Sequence, residues 1–156
     1  MPNWCENKVT VTGEPDQVKH FYHANHAYVS GKRHDGEKWG ECREFSFRGI
    51  LPTPKAYERN GKWYDWNINN WGTKWDAFEP SSKHSKDFKF LGYSFKTAWS
   101  PPANWIVKAS KKFNLDMICY WHEEGGEAGQ FRVKNGKTLY DEEREHPDAH
   151  EWEEEE

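Results

Sequence analysis

The sequence is poor in the aliphatic residues that fill most protein cores. Leu, Ile and Val number only 4, 4 and 6 in 156 residues, and with 9 Phe the apolar set stays small. That share falls below the roughly 20% at which disorder becomes a concern. Long hydrophobic runs are missing as well. No apolar stretch approaches the roughly 20 residues needed to span a bilayer, and the mean hydropathy of −1.17 argues against a membrane protein. Cysteine is scarce: Cys5, Cys42 and Cys119 are odd in number and widely spaced. They form neither a disulfide framework nor an iron–sulfur or CxxC zinc spacing, and they fit reduced thiols in a cytosol. The opening Met1-Pro2-Asn3-Trp4-Cys5-Glu6 lacks the basic and then apolar pattern of a signal peptide. Nothing resembles a phosphate-cradling P-loop or a nucleophile elbow.

Aromatic residues are what the chain has in their place. They make up 17% of it, and 10 are Trp. Each buries roughly 150–250 Å², so a few can build a core that aliphatics would otherwise supply. The expectation is one ordered domain with a small, aromatic-heavy core. Charge is divided along the chain. Residues 141–156 hold ten acids against Arg144, a net of −9, which leaves +5 for residues 1–140 within the formal total of −4. The expected organisation is a domain over residues 1–140 and an acidic, disordered tail over residues 141–156.

Periodicity supplies the elements. Lys8-Val9-Thr10-Val11-Thr12 alternates as a strand with Val9 and Val11 inward. Pro15 and Asp16 open a helix whose stripe is Val18, Phe21, Tyr22, Asn25 and Val29. Residues 31–42 read as a loop. Residues 44–48 alternate again and predict a second strand, ended by Pro52 and Pro54. Residues 55–76, dense in Trp and Asn, predict a long loop or a short irregular helix. Residues 80–86 read as a polar turn, and residues 88–97 as one bent strand or a tight pair. Ser100-Pro101-Pro102 starts a helix with Trp105, Ile106, Ala109 and Phe113 on its stripe. Met117, Cys119 and Trp121 share one face of a strand, and Asn135-Gly136 joins two more in a hairpin. The pattern matches an α+β, ferredoxin-like split βαβ sandwich with an aromatic-rich insertion, a C-terminal hairpin and the acidic tail.

Several segments carry chemistry. Asn70-Trp71-Gly72-Thr73-Lys74-Trp75-Asp76 sets two aromatic faces beside a cation, an amide and an acid. In a ligand site the Trp faces stack a planar ring, Lys74 meets a phosphate or carboxylate, and Asn70 and Asp76 bond ring edges or hydroxyls. In a packed loop the same Trp residues fill the core and Lys74 pairs with Asp76; from the segment alone, packing is the stronger reading. Thr97-Ala98-Trp99-Ser100-Pro101-Pro102 lies at a strand-to-helix junction, where backbone N–H groups favour anions; the plainer reading makes Ser100 an N-cap. His122-Glu123-Glu124-Gly125-Gly126 resembles a metalloprotease helix only superficially, because Gly126 stands where a second His is needed. Glu123 remains a candidate base or hydroxyl acceptor. His20, His23 and His26 lie three apart on the first helix, and solvated histidines explain them better than a metal site.

Taken together, Pro2-Asn3-Trp4-Cys5-Glu6-Asn7, Phe45-Ser46-Phe47 before Ile50-Leu51-Pro52-Thr53-Pro54, residues 70–77, residues 97–102 and residues 120–129 resemble the YubB-like proteins of bacteriophages and plasmids, which carry a ferredoxin-like domain. The likeness spans residues 1–140 and leaves the acidic tail outside it. It implies a mobile-element protein working in the cytoplasm of a bacterial host, and it brings no catalytic residue to carry over. Its marker motifs are polar–aromatic segments at loops and junctions, which favours a shared pocket over packing alone.

The functional expectation is a non-enzymatic phage or mobile-element protein. It binds a small, nucleotide-like anionic ligand in a Trp-lined pocket and sequesters a host anti-phage defence signal. The expected ligand-binding set is Asn70, Trp71, Thr73, Lys74, Trp75, Asp76, Trp99, Ser100 and Glu123. No catalytic residue, cofactor or metal is assigned. Two alternatives stay open: an inhibitor that binds a host defence or nucleic-acid enzyme through the acidic tail, and a small hydrolase using Asp76, Glu123 or His122 as base. Nucleic acid ranks below a small ligand, because the basic residues are scattered and the tail competes for any basic groove. No membrane partner is expected, and an edge strand makes a homodimer plausible.

Overall fold

The computed structural model describes residues 3–26 and 45–145 of the chain. The elements run β1 (Trp4–Thr12), α1 (Pro15–Asn25), a 3-10 turn (Phe47–Gly49), α2 (Lys55–Arg59), α3 (Trp63–Trp71), β2 (Phe78–His84), β3 (Leu91–Ala98), α4 (Ala103–Phe113), β4 (Asp116–Glu123), β5 (Glu127–Lys134) and β6 (Lys137–Glu145). One antiparallel sheet takes the order β2-β3-β1-β4-β5-β6. Strands β2, β3, β1 and β4 with α1 and α4 are a ferredoxin-like split βαβ unit, and the β5–β6 hairpin widens the sheet beyond β4. The fold is α+β, as the alternation and helical stripes predict.

Period two decides which side of the sheet is dry. Cys5, Asn7, Val9 and Val11 on β1 are buried, as are Leu91, Tyr93, Phe95 and Thr97 on β3 and Met117, Cys119, Trp121 and Glu123 on β4. On this face lie Val18 and Phe21 of α1 and Trp105, Ile106 and Ala109 of α4, all fully or almost fully buried. Aromatic rings do much of the filling. Trp105 lies 4.9 Å from Phe47 and 5.9 Å from Phe21, and Phe45 lies 5.1 Å from Phe95. Asn7, buried among them, is satisfied by donating to the Cys5 and Phe95 carbonyls and the Thr97 hydroxyl. The other face, with Trp4, Glu6, Lys8 and Thr10 on β1, is half-buried or exposed, apart from the small residues Ala98 and Ala128.

The second strand is not where alternation predicted it. Within residues 44–48, Phe45, Ser46, Phe47 and Arg48 are all buried, and Phe47–Gly49 is a 3-10 turn. The backbone there is held by side chains: the Phe47 N–H donates to Asp76 and the Arg48 N–H to Ser46 Oγ. The strand's place in the sheet is taken by β2, in a stretch that read as a polar turn around Pro80. Pro80 is tolerated because β2 is an edge strand with a register shift between Phe78 and Ser81, and Glu79 takes a positive φ of 49°. Of the two expectations for residues 55–76, a long loop or a short irregular helix, the second is nearer, since two short helices, α2 and α3, form there. The acidic tail does not begin at residue 141, because β6 carries Asp141, Glu142 and Glu143 along β5 as far as Glu145. The predicted loop over residues 31–42, Val29 and Cys42 lie outside the described residues. No helix among the described residues is long and apolar enough to cross a membrane.

Candidate functional site

Helix α3 ends at Trp71 because Gly72 adopts the left-handed conformation, φ 87°, and its N–H returns to Asn67 and Ile68. A Cβ on Gly72 would also stand 3.1 Å from the Ala103 and Asn104 amides, so only glycine lets the chain pass the start of α4 this closely. Two hydroxyls fasten the crossing. Thr73 Oγ1 donates to the Ala98 carbonyl at 2.9 Å, and Ser100 Oγ donates to the Gly72 carbonyl at 2.7 Å. Residues 72–78 thereby run alongside the end of β3.

This turn separates the predicted site residues into two groups. Trp71 is 1% exposed, lies 5.5 Å from Phe47 and donates its indole N–H to the Leu51 carbonyl. It is a core residue, and a ligand has no ring face of it to stack on. Thr73 is fully buried and its hydroxyl is used by Ala98. Asp76 points inward too: its carboxylate accepts from Ser46 Oγ at 2.5 Å, the Phe47 N–H at 2.8 Å and the Ala77 N–H at 2.7 Å. Burial raises its pKa above the ordinary aspartate range, while the Ser46, Phe47 and Ala77 hydrogen bonds pull the other way. Asp76 is therefore a tie between two loops rather than a partner for Lys74. Asn70 bonds Trp66 and receives Lys108 Nζ. Ser100 does not cap α4; its N-cap is Pro102, with no side-chain hydrogen bond, and the anion-friendly amides expected there lie against Gly72.

Lys74 and Trp75 face outward and meet residues that the sequence reading left aside. Trp4 stacks on Phe78 with ring centroids 4.8 Å apart and planes 12° apart, and Trp75 lies 6.1 Å from Trp4. These three half-buried rings form a shelf on the open sheet face, above the small residue Ala98 that pairs with Trp4. Lys74 Nζ lies 4.6 Å from the Trp75 ring and 5.2 Å from the Tyr64 ring of α3. Among the described residues no carboxylate pairs with it. On β3, Lys96 lies across from Phe78 and reaches Glu79 at 3.6 Å. Trp99, just past the end of β3, is 52% exposed and held at φ 73°, its N–H donating to the Asn3 carbonyl. Trp4, Tyr64, Phe78 and Lys96 escaped the sequence reading. Alternation back from Lys8 through Glu6 to Trp4 was the available signal.

Glu123 sits apart from the shelf, on the helix-covered face opposite Cys5. It is 7% exposed, and its Oε1 has no hydrogen-bond partner among the described residues. Its carboxylate lies over Gly125, where an added Cβ would approach Oε2 to 2.7 Å. Burial pushes the Cys5 thiol up to about 12, with the Glu123 charge adding to the rise. The predicted histidines are not simply solvated. His26 stacks on Tyr22 at 4.1 Å, and its pKa is lowered by burial, while Tyr22 also meets His84 of β2. No group of three or more metal-ligating side chains occurs among the described residues.

Comparison with known proteins gives the family. A crystal structure of the protein api92 from Yersinia pseudotuberculosis superposes with a TM-score of 0.62 over 95% of this chain and 99% of that one, at 11% identity, which supports the fold alone. No curated protein matches the sequence. The model of the ferredoxin-like domain in Api92-like proteins matches residues 70–156, more than half of the chain, and it takes in the acidic end that the YubB-like resemblance left out. The split βαβ sheet and this match agree, and the chain belongs to the family of Api92-like proteins with a ferredoxin-like domain.

Proposed function

We propose that the chain is a non-enzymatic binding protein that holds an anionic, nucleotide-like ligand against the shelf of Trp4, Trp75 and Phe78. The observation that carries this reading is Lys74. Its ammonium lies between the rings of Trp75 and Tyr64, without a described carboxylate partner, beside the stacked rings of Trp4 and Phe78. A planar base takes the ring faces and the cation takes the phosphate. Stacking contributes roughly 1–3 kcal/mol per base, so the rings and one cation together support micromolar affinity. Lys96 borders the same surface. Trp71, Thr73 and Asp76 serve it from below by fixing the path of residues 72–78.

Chemistry fits poorly. Asp76 is committed to three donors, the Cys5 thiol is buried and hard to ionise, and Glu123 lies on the opposite face of the sheet. The YubB-like resemblance adds a mobile-element setting, in which the bound species is a host defence signal held out of circulation in the bacterial cytoplasm. Calorimetry against a panel of mono- and cyclic nucleotides tests the reading. Binding that Trp75→Ala and Lys74→Ala each weaken by about tenfold or more supports it. Silence across the panel, or binding indifferent to both substitutions, sinks it.

A further inference from the structure

We propose that the outer face of helix α3, with α2 beside it, docks an acidic segment of a partner protein that carries an apolar side chain. The burial pattern of α3 carries this inference. On α1 and α4 the exposed positions are all polar or charged, Lys19 and His20 on the first and Lys108 and Lys112 on the second among them. Helices that meet only water on their outer side look like that. Helix α3 is inverted. It buries Asn67, whose side chain accepts from Thr53 Oγ1 and donates to the Lys74 carbonyl. It exposes Tyr64 by 44% and Ile68 by 37%, and side chains four apart adjoin on one face. Tyr57 of α2 is exposed by 40%. Three of the six large apolar side chains that stand exposed among the described residues therefore belong to α2 and α3. Gathered exposed apolar side chains of this kind mark interaction surfaces.

Charge chooses the partner. Lys55 and Arg59 stand four apart on α2, Lys62 leads into α3, and Lys74 Nζ lies 5.2 Å from the Tyr64 ring. Lys55, Arg59 and Lys62 form no ion pair among the described residues. Residues 55–74 hold two acids, and Glu58 is engaged by Arg48, which leaves Asp65. An apolar middle with a basic margin is the complement of an acidic segment that has one aromatic or aliphatic anchor. The seat is also held in place. Asn104 Nδ2 donates to the Ile68 and Asn69 carbonyls and Lys108 Nζ to Asn70 Oδ1, which ties α3 to α4 and lowers the cost of ordering it on binding. A nucleic acid is a poorer match, because Ile68 offers a base no ring face. Tyr64 and Lys74 border the nucleotide seat proposed above, whereas Ile68 and Lys62 take no part in it.

Fluorescence anisotropy of the full chain with labelled peptides of about 12 residues tests the proposal. The probes are a Glu-rich peptide with Leu and Trp at its centre, an all-Glu peptide, the same Leu and Trp in a Lys-rich background, and oligothymidine. The Glu–Leu–Trp peptide is expected to bind, the all-Glu peptide about tenfold more weakly, and the Lys-rich peptide not at all. Binding is expected to fade as salt rises. Ile68→Ala and Lys62→Glu are each expected to weaken the Glu–Leu–Trp peptide by about fivefold or more. Both positions are exposed, so thermal melts of the variants should stay close to that of the unsubstituted chain. Nucleotide binding at the shelf is expected to survive Ile68→Ala, so the two readings fail separately. Silence of the Glu–Leu–Trp peptide, equal binding of acidic and basic peptides, or indifference to Ile68→Ala overturns the proposal. Oligothymidine binding that outcompetes the acidic peptide and is weakened by Lys62→Glu overturns it in favour of a nucleic-acid surface.

Discussion

Trp71 and Trp75 stand four residues apart in the sequence and do opposite work. Trp71 ends α3 inside the aromatic core, its N–H answered by Leu51. Trp75 lies on the far side of the left-handed turn at Gly72, against Trp4 on the open face. Residue type and neighbourhood are nearly the same, so the difference comes from the backbone. One positive φ and two hydroxyl ties redirect the chain across the end of β3. A Trp-rich motif thus serves packing and surface recognition together, and only the turn geometry separates the two.

The comparison can be broken most forcefully at Trp71. Trp71→Ala is expected to destabilise the fold by about 3–5 kcal/mol, read by chemical denaturation, because it empties a large core site and strands the Leu51 carbonyl. Trp75→Ala is expected to cost under about 1.5 kcal/mol of stability, since the ring is half-buried, while removing ligand binding. Equal destabilisation by the two substitutions would erase the distinction. Next comes Asp76→Ala, which leaves the Ser46 hydroxyl and the Phe47 and Ala77 amides without their acceptor; a loss of at least about 2 kcal/mol is expected. Gly72→Ala forces an L side chain into the left-handed region against the α4 amides. About 1–2 kcal/mol is expected, with binding weakened through displacement of Trp75.

The smallest effect concerns pH. His26 has its pKa lowered by burial among Tyr22, Phe45 and Tyr93, with His23 and His84 adding repulsion. A lowered pKa means that the neutral form is favoured by folding. The stabilisation is present above the ordinary value of 6.5 and is lost as pH falls through the lower folded value. Melting temperature should therefore decline between neutral pH and pH 5, and His26→Gln should flatten that decline. A flat profile in the unsubstituted protein would remove the histidine contribution.

Elements whose side chains obey one period were legible in the sequence. The stripes Val18–Phe21–Asn25 and Trp105–Ile106–Ala109 and the row Met117–Cys119–Trp121 are buried as their spacing predicts. What could not be read was set by partners distant in the chain. Phe45 and Phe47 alternate like a strand, yet Asp76 holds the backbone of that segment in a 3-10 turn. Pro80 resembles a turn residue, yet the sheet edge accepts it. At the candidate site, Lys74, Trp75 and Trp99 were readable from composition. Trp4 and Phe78 were not, because they meet only when β1 and β2 flank β3. The packing reading of that segment put Trp71 and Trp75 in the core and paired Lys74 with Asp76; Trp71 is buried, while Trp75 is not and Asp76 bonds Ser46, Phe47 and Ala77 instead.

The two outer strands have a consequence for behaviour at high concentration. β2 presents Pro80 and a register shift, and β6 presents exposed Asp141, Glu142 and Glu143. The first breaks the regular row of amide donors that an incoming strand needs, and the second sets carboxylates against carboxylates when two copies approach edge to edge. High salt screens those charges and weakens the second guard while leaving the first. Fibrillar or strand-swapped association should accordingly begin at β6 in concentrated salt and be suppressed in dilute buffer, so storage at high salt carries a hazard for this chain that low salt does not.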